Sequence, residues 1–198
     1  MGKKINVIDL DKTLLPYHSL VRFVVYFMSE WRCVLPLLAY SLLRITGVMG
    51  KDTYLKKVLM STRTTERYEE KLQRFSQLLY RDVRQSMVGY INTYTDDSTT
   101  TILCTASPQD YVKYLCEKLQ WEYLCSTLNA QGNGFVHMSG AHKIHALHQQ
   151  YPEQQYTYHF ALSDNNDDAE LLQLFDTSYR VKNSLLRKKF SYISVKKR

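Results

Sequence analysis

The chain has 198 residues, 44% of them hydrophobic, and a formal net charge of +7; that allows a sizeable core in one large domain, or one domain with an insert. Its four cysteines (Cys33, Cys104, Cys116, Cys125) show neither CxxC nor metal-ligand spacing, which argues against a disulfide scaffold or zinc site and for buried thiols in a reducing compartment. The charge is uneven: residues 1–90 carry +7, residues 91–176 carry −8 and residues 177–198 carry +8, so two basic parts suited to an anionic partner flank an acidic middle.

Lys3 to Ile8 is a short apolar run with β-branched residues, which predicts a buried strand. It meets Asp9 too soon to read as a signal peptide. Asp9-Leu10-Asp11-Lys12-Thr13 follows, with two carboxylates at i and i+2. In an open α/β sheet the ligand crevice lies at the carboxyl ends of the strands. A carboxylate placed there can attack phosphorus, and a second can protonate the leaving oxygen.

From Thr13 the pattern turns helical for about eighty residues. Leu20 to Met49 is strongly apolar, broken at Pro36 and ended by Gly47 and Gly50; it predicts helices near 18–30 and 35–48. Its longest charge-free run, Cys33 to Leu43, falls short of the roughly 20 residues that span a bilayer. A short helix near 51–60 and a long one from 65 to 90 follow. In the latter, Tyr68, Leu72, Phe75 and Leu79 form a core-facing stripe.

Thr100 to Cys104 predicts a second buried strand, and Ser107 and Pro108 read as N-cap and first residue of a helix. Thr105 thus stands at a strand end beside the backbone N–H groups of a helix start, a place suited to phosphate. Residues 121–128 predict another strand, and Gly132 to Gly134 a turn between extended arms. Gly140 opens a helix to about Gln150 that carries Lys143. His142, His145 and His148 drift around that helix and read as an exposed face rather than a metal site. Tyr156 to Leu162 is a strand running into Ser163-Asp164-Asn165-Asn166-Asp167-Asp168. The spacing fails for an EF-hand, but Mg²⁺ needs few protein carboxylates, and Asp164 with Asp9 can supply them. Thr177 to Val181 is a last strand before a basic tail.

Four separated motifs resemble those of the haloacid dehalogenase superfamily, in its phosphoserine-phosphatase-like branch. They are the Asp9–Thr13 pentapeptide, Thr105 in Leu103-Cys104-Thr105-Ala106-Ser107-Pro108, Lys143, and the acids Asp164 and Asp168. The departures are Lys12, where Gly is frequent, and Ser163-Asp164-Asn165, where Gly flanks the acid. The resemblance implies an α/β fold with a Rossmann-like parallel sheet (1–15 and 96–198) and an inserted all-helical cap (16–95). It implies Asp9 as nucleophile, Asp11 as acid/base, and Thr105 and Lys143 as holders of the phosphoryl group. Mg²⁺ would be bound by Asp9, the Asp11 carbonyl and Asp164, with Asp168 in support.

The branch's phosphoserine enzymes carry a Glu nine residues after the nucleophile; here that position is His18, which argues against phosphoserine. Leu35-Pro36-Leu37-Leu38, Thr105 to Gln109 and the Ser163–Asp168 run are more similar to phosphatidylglycerophosphate phosphatases. The expectation is a Mg²⁺-dependent phosphatase acting on a phosphorylated small molecule or a lipid phosphate, without nucleic acid. It would be cytoplasmic, in the second case with peripheral contact to anionic membrane at its inner face. The competing readings are a phosphatase of soluble metabolites and a binding module that keeps the fold without turnover.

Overall fold

The computed structural model describes residues 2–129 and 131–182, together with the backbone of 191–194. β1 (Lys3–Ile8) lies at the centre of a sheet, parallel to β2 (Thr99–Pro108) on one side and β5 (Tyr156–Ser163) on the other. β3 (Glu122–Leu128) and β6 (Thr177–Lys182) extend it in parallel, and β4 (Phe135–Val136) and β7 (Ser191–Ser194) pair antiparallel at its edges. The order is β4–β3–β2–β1–β5–β6–β7. The chain moves outward from β1 to β3 and then returns to β1's other side, so the switch point that opens a crevice in α/β sheets lies at β1 and β5. The expected α/β class is found, with the sheet parallel except at its edges.

Five helices separate β1 from β2: α1 (Ser19–Phe27), α2 (Trp31–Ile45), α3 (Lys51–Thr62), α4 (Tyr68–Asp82) and α5 (Gln85–Asn92). α2 starts at Trp31 rather than near 35, so Pro36 sits in its interior and not in its first turn. The single helix expected over 65–90 is two helices. The break falls at Val83–Arg84, where the Arg84 N–H leaves the helical ladder and donates to the Leu14 carbonyl. The remaining helices are α6 (Gln109–Leu119), α7 (Ala141–Gln150) and α8 (Ala169–Gln173).

β2 is longer than expected. Its ladder with β3 skips between Thr105 and Pro108, an irregularity of the kind that re-aims side chains. Pro108 becomes the N-cap of α6. Ser107 is therefore not the cap, and its hydroxyl turns to Ser19 and Asp11 instead.

Both sheet faces are buried, which is why the central strands read as apolar runs. On one face Ile8, Leu103, Phe160 and Leu162 share a core with Phe23, Leu72, Phe75 and Tyr111 from the helices. The Phe23 ring stands 5.4 Å from Phe75 and 5.1 Å from Tyr111, tying α1, α4 and α6 together. On the other face Ile5, Val7, Ile102 and Cys104 pack with Leu147, Leu171 and Phe175. A polar pin adds to this: Arg63, just after α3, donates twice to Asp110 at the start of α6, each at 2.8 Å, and Tyr68 donates to the same carboxylate. All four cysteines are buried and free. The basic tail expected after β6 lies, from 183 onward and apart from the backbone of 191–194, outside the described residues.

Candidate active site

Three parallel strands deliver their carboxyl ends to one cleft of about 490 Å³. Asp9 follows β1, Thr105 lies near the end of β2, and Asp164 follows β5; all three line the cleft, with Asp11 and Lys143. Asp9 and Asp164 stand there because a buried strand cannot carry a charge inward, so the first acid marks the point where backbone leaves the sheet.

Asp9 is 8% exposed. Burial pushes its carboxyl up to about 7, helped by Asp168 and Asp11 and opposed by Lys143. Lys143 enters from the first turn of α7 and is 2% exposed. Its ammonium donates to Asp9 Oδ1 at 3.0 Å and to Asp168 Oδ2 at 2.8 Å. Burial alone would lower its pKa; the facing carboxylates outweigh that and hold it above the ordinary lysine range. Asp168 does not line the cleft. It stands behind Lys143, also accepting from Ser163 Oγ at 2.6 Å, and its Oδ1 has no partner among the described residues.

Between Asp9 and Thr13 the backbone makes a tight helical turn containing non-helical residues. Lys12 adopts φ +57°, a conformation that favours glycine, which gives the departure at this position a physical cost. The turn carries Asp11 back to the cleft. Asp11 Oδ1 accepts the Ser19 N–H at 2.8 Å, Ser107 Oγ stands 3.3 Å from Oδ2, and His18 Nδ1 is 3.8 Å from Oδ2. Thr105 is 1% exposed, and its hydroxyl accepts the Ser107 N–H at 3.2 Å.

Several contributors were not singled out from the sequence. Thr13 is fully buried and its hydroxyl accepts the Asp164 N–H at 2.9 Å, locking the β1 loop to the β5 loop. Arg84 donates to the carbonyls of Lys12 at 3.2 Å and Thr13 at 3.1 Å from the start of α5. Ser163 orients Asp168, and Ser19 orients Asp11. Thr13 carried a signal in its motif position; Arg84 carried none, being one arginine among many. Across the cleft, His137 Nδ1 lies 2.5 Å from Asp52. His142, His145 and His148 are exposed on α7, as their drifting spacing predicted.

The donor set suits a hard divalent cation. Burial also raises the Asp164 carboxyl above its ordinary range, against the pull of Lys12 and His18, and a cation bound beside it would offset that cost. Among the described residues no three acidic, histidine or cysteine side chains converge closely enough to cage an ion unaided. Mg²⁺ needs only one or two carboxylates and fills its octahedron with carbonyl, water and phosphate oxygens, so Asp9 and Asp164, which line one cleft, would be the carboxylates to hold it, with the Asp11 carbonyl expected beside them.

The family model for haloacid dehalogenase-like hydrolases matches residues 7–173. No curated protein matches the chain. Among solved structures, a protein of unknown function from Bordetella pertussis Tohama I superposes with a TM-score of 0.72 at 12% identity, covering 90% of this chain and 89% of that one. A phosphoserine phosphohydrolase-like protein from Francisella tularensis gives 0.57 at 14% identity over 88% and 85% of the two chains. A phosphoserine phosphatase in apo form gives 0.54 at 12% identity over 89% and 84%. At these identities the likeness is one of fold.

Proposed function

The chain belongs to the haloacid dehalogenase-like hydrolases, and from that membership we propose that it is a Mg²⁺-dependent phosphatase that cleaves a phosphomonoester through an aspartyl phosphate. The observation that carries the reading is the buried Lys143 clamped between Asp9 and Asp168 in a cleft shared with Asp11, Thr105 and Asp164. A buried lysine between two carboxylates is costly to keep, and fixed positive charge beside a carboxylate is what phosphoryl transfer needs, since catalysis there is mostly positioning and electrostatics.

An Asp9 carboxylate oxygen attacks phosphorus as the ester P–O bond breaks, and the leaving oxygen takes a proton from the Asp11 carboxyl. Asp11, now a carboxylate, takes a proton from water as the water oxygen attacks phosphorus. The bond between phosphorus and Asp9 then breaks, inorganic phosphate leaves, and both acids are restored. Thr105 and Lys143 hold the equatorial oxygens in place. Ser19 and Ser107 aim Asp11. Mg²⁺, when bound by Asp9, Asp164 and the Asp11 carbonyl, supplies positive charge that offsets the repulsion between Asp9 and phosphate.

Residues 1–15 and 96–198 form the catalytic core in this reading, and 16–95 the cap that covers it. The cap side of the cleft includes Leu20, Val21 and Leu55. Such a wall supports an amphiphilic, lipid-linked phosphate over a fully polar metabolite, and hence an enzyme that meets a membrane peripherally, at its inner face if cytoplasmic. The test is a panel of phosphomonoesters, soluble and lipid-linked, with Mg²⁺ and with chelator. Hydrolysis that requires Mg²⁺ is expected, strongest on lipid-linked esters. An enzyme that hydrolyses none of them would refute the reading.

A further inference from the structure

Among the described residues, α1 and α2 leave a row of large apolar side chains exposed. Trp31, Leu35, Leu38, Leu42 and Ile45 recur at steps of four and three residues, so they share one side of α2. All five are exposed, Trp31 and Leu35 at 78% and Ile45 at 83%. Val21 and Val25, one turn apart on α1, are exposed at 63% and 61%. With Leu43 and Val48 the group reaches nine large apolar side chains. Single exposed apolar side chains are ordinary, but a continuous stripe of them along one helix is the kind of surface that marks an interaction site. The buried side of α2, Cys33 and Leu37, already packs against the core, so this face is left over after folding.

We propose that the exposed face of α1 and α2 is a docking surface for an anionic lipid bilayer, laid in the plane of the interface with the mouth of the cleft beside it. The proposal rests on the phosphatase reading only for its purpose, and deepens it by naming the surface that brings a lipid-linked substrate to Asp9.

Charge chooses the occupant. Residues 31–51 contain no acid, and Arg32, Arg44 and Lys51 are all exposed. Arg32 has only a loose contact, 3.8 Å, with Glu66. Arg32 thus stands at the edge of the stripe, 5.2 Å from the Trp31 ring, and α2 itself carries no acid, a composition that suits a helix burying one side at the boundary between headgroups and acyl chains. A second copy fits less well, because α2 carries no acid and a two-fold contact through this face would offer Arg32 no carboxylate from the other copy's α2. Crossing the bilayer is not at issue, because among the described residues no helix is long and apolar enough to span it. The face also adjoins the site, because Val21 is both exposed and part of the lining of the cleft.

The test is flotation with vesicles of phosphatidylglycerol and phosphatidylcholine, beside vesicles of phosphatidylcholine alone. It uses the wild-type chain and the triple variant Leu35→Gln/Leu38→Gln/Ile45→Gln, which changes only exposed side chains outside the cleft. The wild type should float with anionic vesicles, less at high salt and less on neutral lipid. The triple variant should bind at least about tenfold more weakly while hydrolysing a soluble aryl phosphate at the wild-type rate. Wild-type protein that stays off anionic vesicles at low salt overturns the proposal, as does a variant that floats equally well. A wild-type dimer that becomes monomeric in the variant, without vesicle binding, would assign the face to a second copy instead. Flotation with no hydrolysis of any ester would refute the phosphatase reading and leave the docking surface standing.

Discussion

Asp9 and Lys143 show how one pair of residues carries both a stability cost and a chemical use. Removing Lys143 leaves Asp168 buried with a charge and no cation, an arrangement that typically costs about 3–5 kcal/mol. Lys143→Ala should therefore unfold at lower urea and lose about 100-fold or more in kcat/KM, whereas Ala at His142, His145 or His148 should leave activity close to wild type; steady-state kinetics and urea melts check both. Asp9 gives a pH signature. Its carboxyl is raised from 3.8 to about 7 in the folded chain. Between those values the folded chain keeps a proton that the unfolded chain has released, so the stability of the metal-free protein falls as pH rises through that window. Melting temperatures measured in chelator should decline across it, the decline should flatten in Asp9→Asn, and Mg²⁺ should restore stability at the alkaline end, where Asp9 is ionised. At this scale much was legible beforehand. Asp9, Asp11, Thr105, Lys143, Asp164 and Asp168 were named from motif and strand-end position, and the fold gathers the first five at one cleft with Asp168 behind Lys143. Their supports were not legible, because Ser19 and Arg84 act through contacts 8 and more than 70 residues away in the chain, which no local pattern encodes.

Elements fix those residues in place, and the places where they depart from local expectation serve the site. The break between α4 and α5 frees the Arg84 N–H for Leu14 and aims its guanidinium at the Lys12 and Thr13 carbonyls. Helical periodicity runs smoothly through 65–90, so the break could not be read from it; tertiary hydrogen bonding overrides the local preference. Arg84→Gln should loosen the turn that carries Asp11, lowering kcat more than it raises KM, as measured at saturating and limiting substrate. The irregular end of β2 similarly takes Ser107 away from the helix cap and gives it to Asp11. The pin between Arg63 and Asp110 ties α3 to α6. Arg63→Ala leaves the Asp110 carboxylate buried without its cation and should cost about 3 kcal/mol in a urea melt. Because Arg63 does not line the cleft, kcat of the folded fraction should change little.

For the whole molecule, the sheet places chemistry at the switch point, and the helices between β1 and β2 place an apolar surface beside it. The parallel centre of the sheet was readable because strands buried on both faces are apolar throughout. Of the edges, β4 falls in the extended arm expected after the Gly132–Gly134 turn, whereas β7 lies in the basic tail, where no apolar run marks a strand. The apolar stretch from 20 to 49 left core and interface unresolved, since hydrophobicity alone does not say which side of a helix the fold will cover. The fold covers one side and leaves Trp31, Leu35 and Ile45 outside.

The central claim is that Asp9 is the atom donor that phosphorus bonds to. The direct measurement is an acid quench of the enzyme during turnover of a phosphate-labelled ester with Mg²⁺, followed by mapping of the label. Wild-type protein should carry an acyl phosphate on Asp9 that hydroxylamine removes, and Asp9→Asn should fold, carry no label and lack turnover. Label at another residue, or steady hydrolysis by Asp9→Asn, would contradict the account.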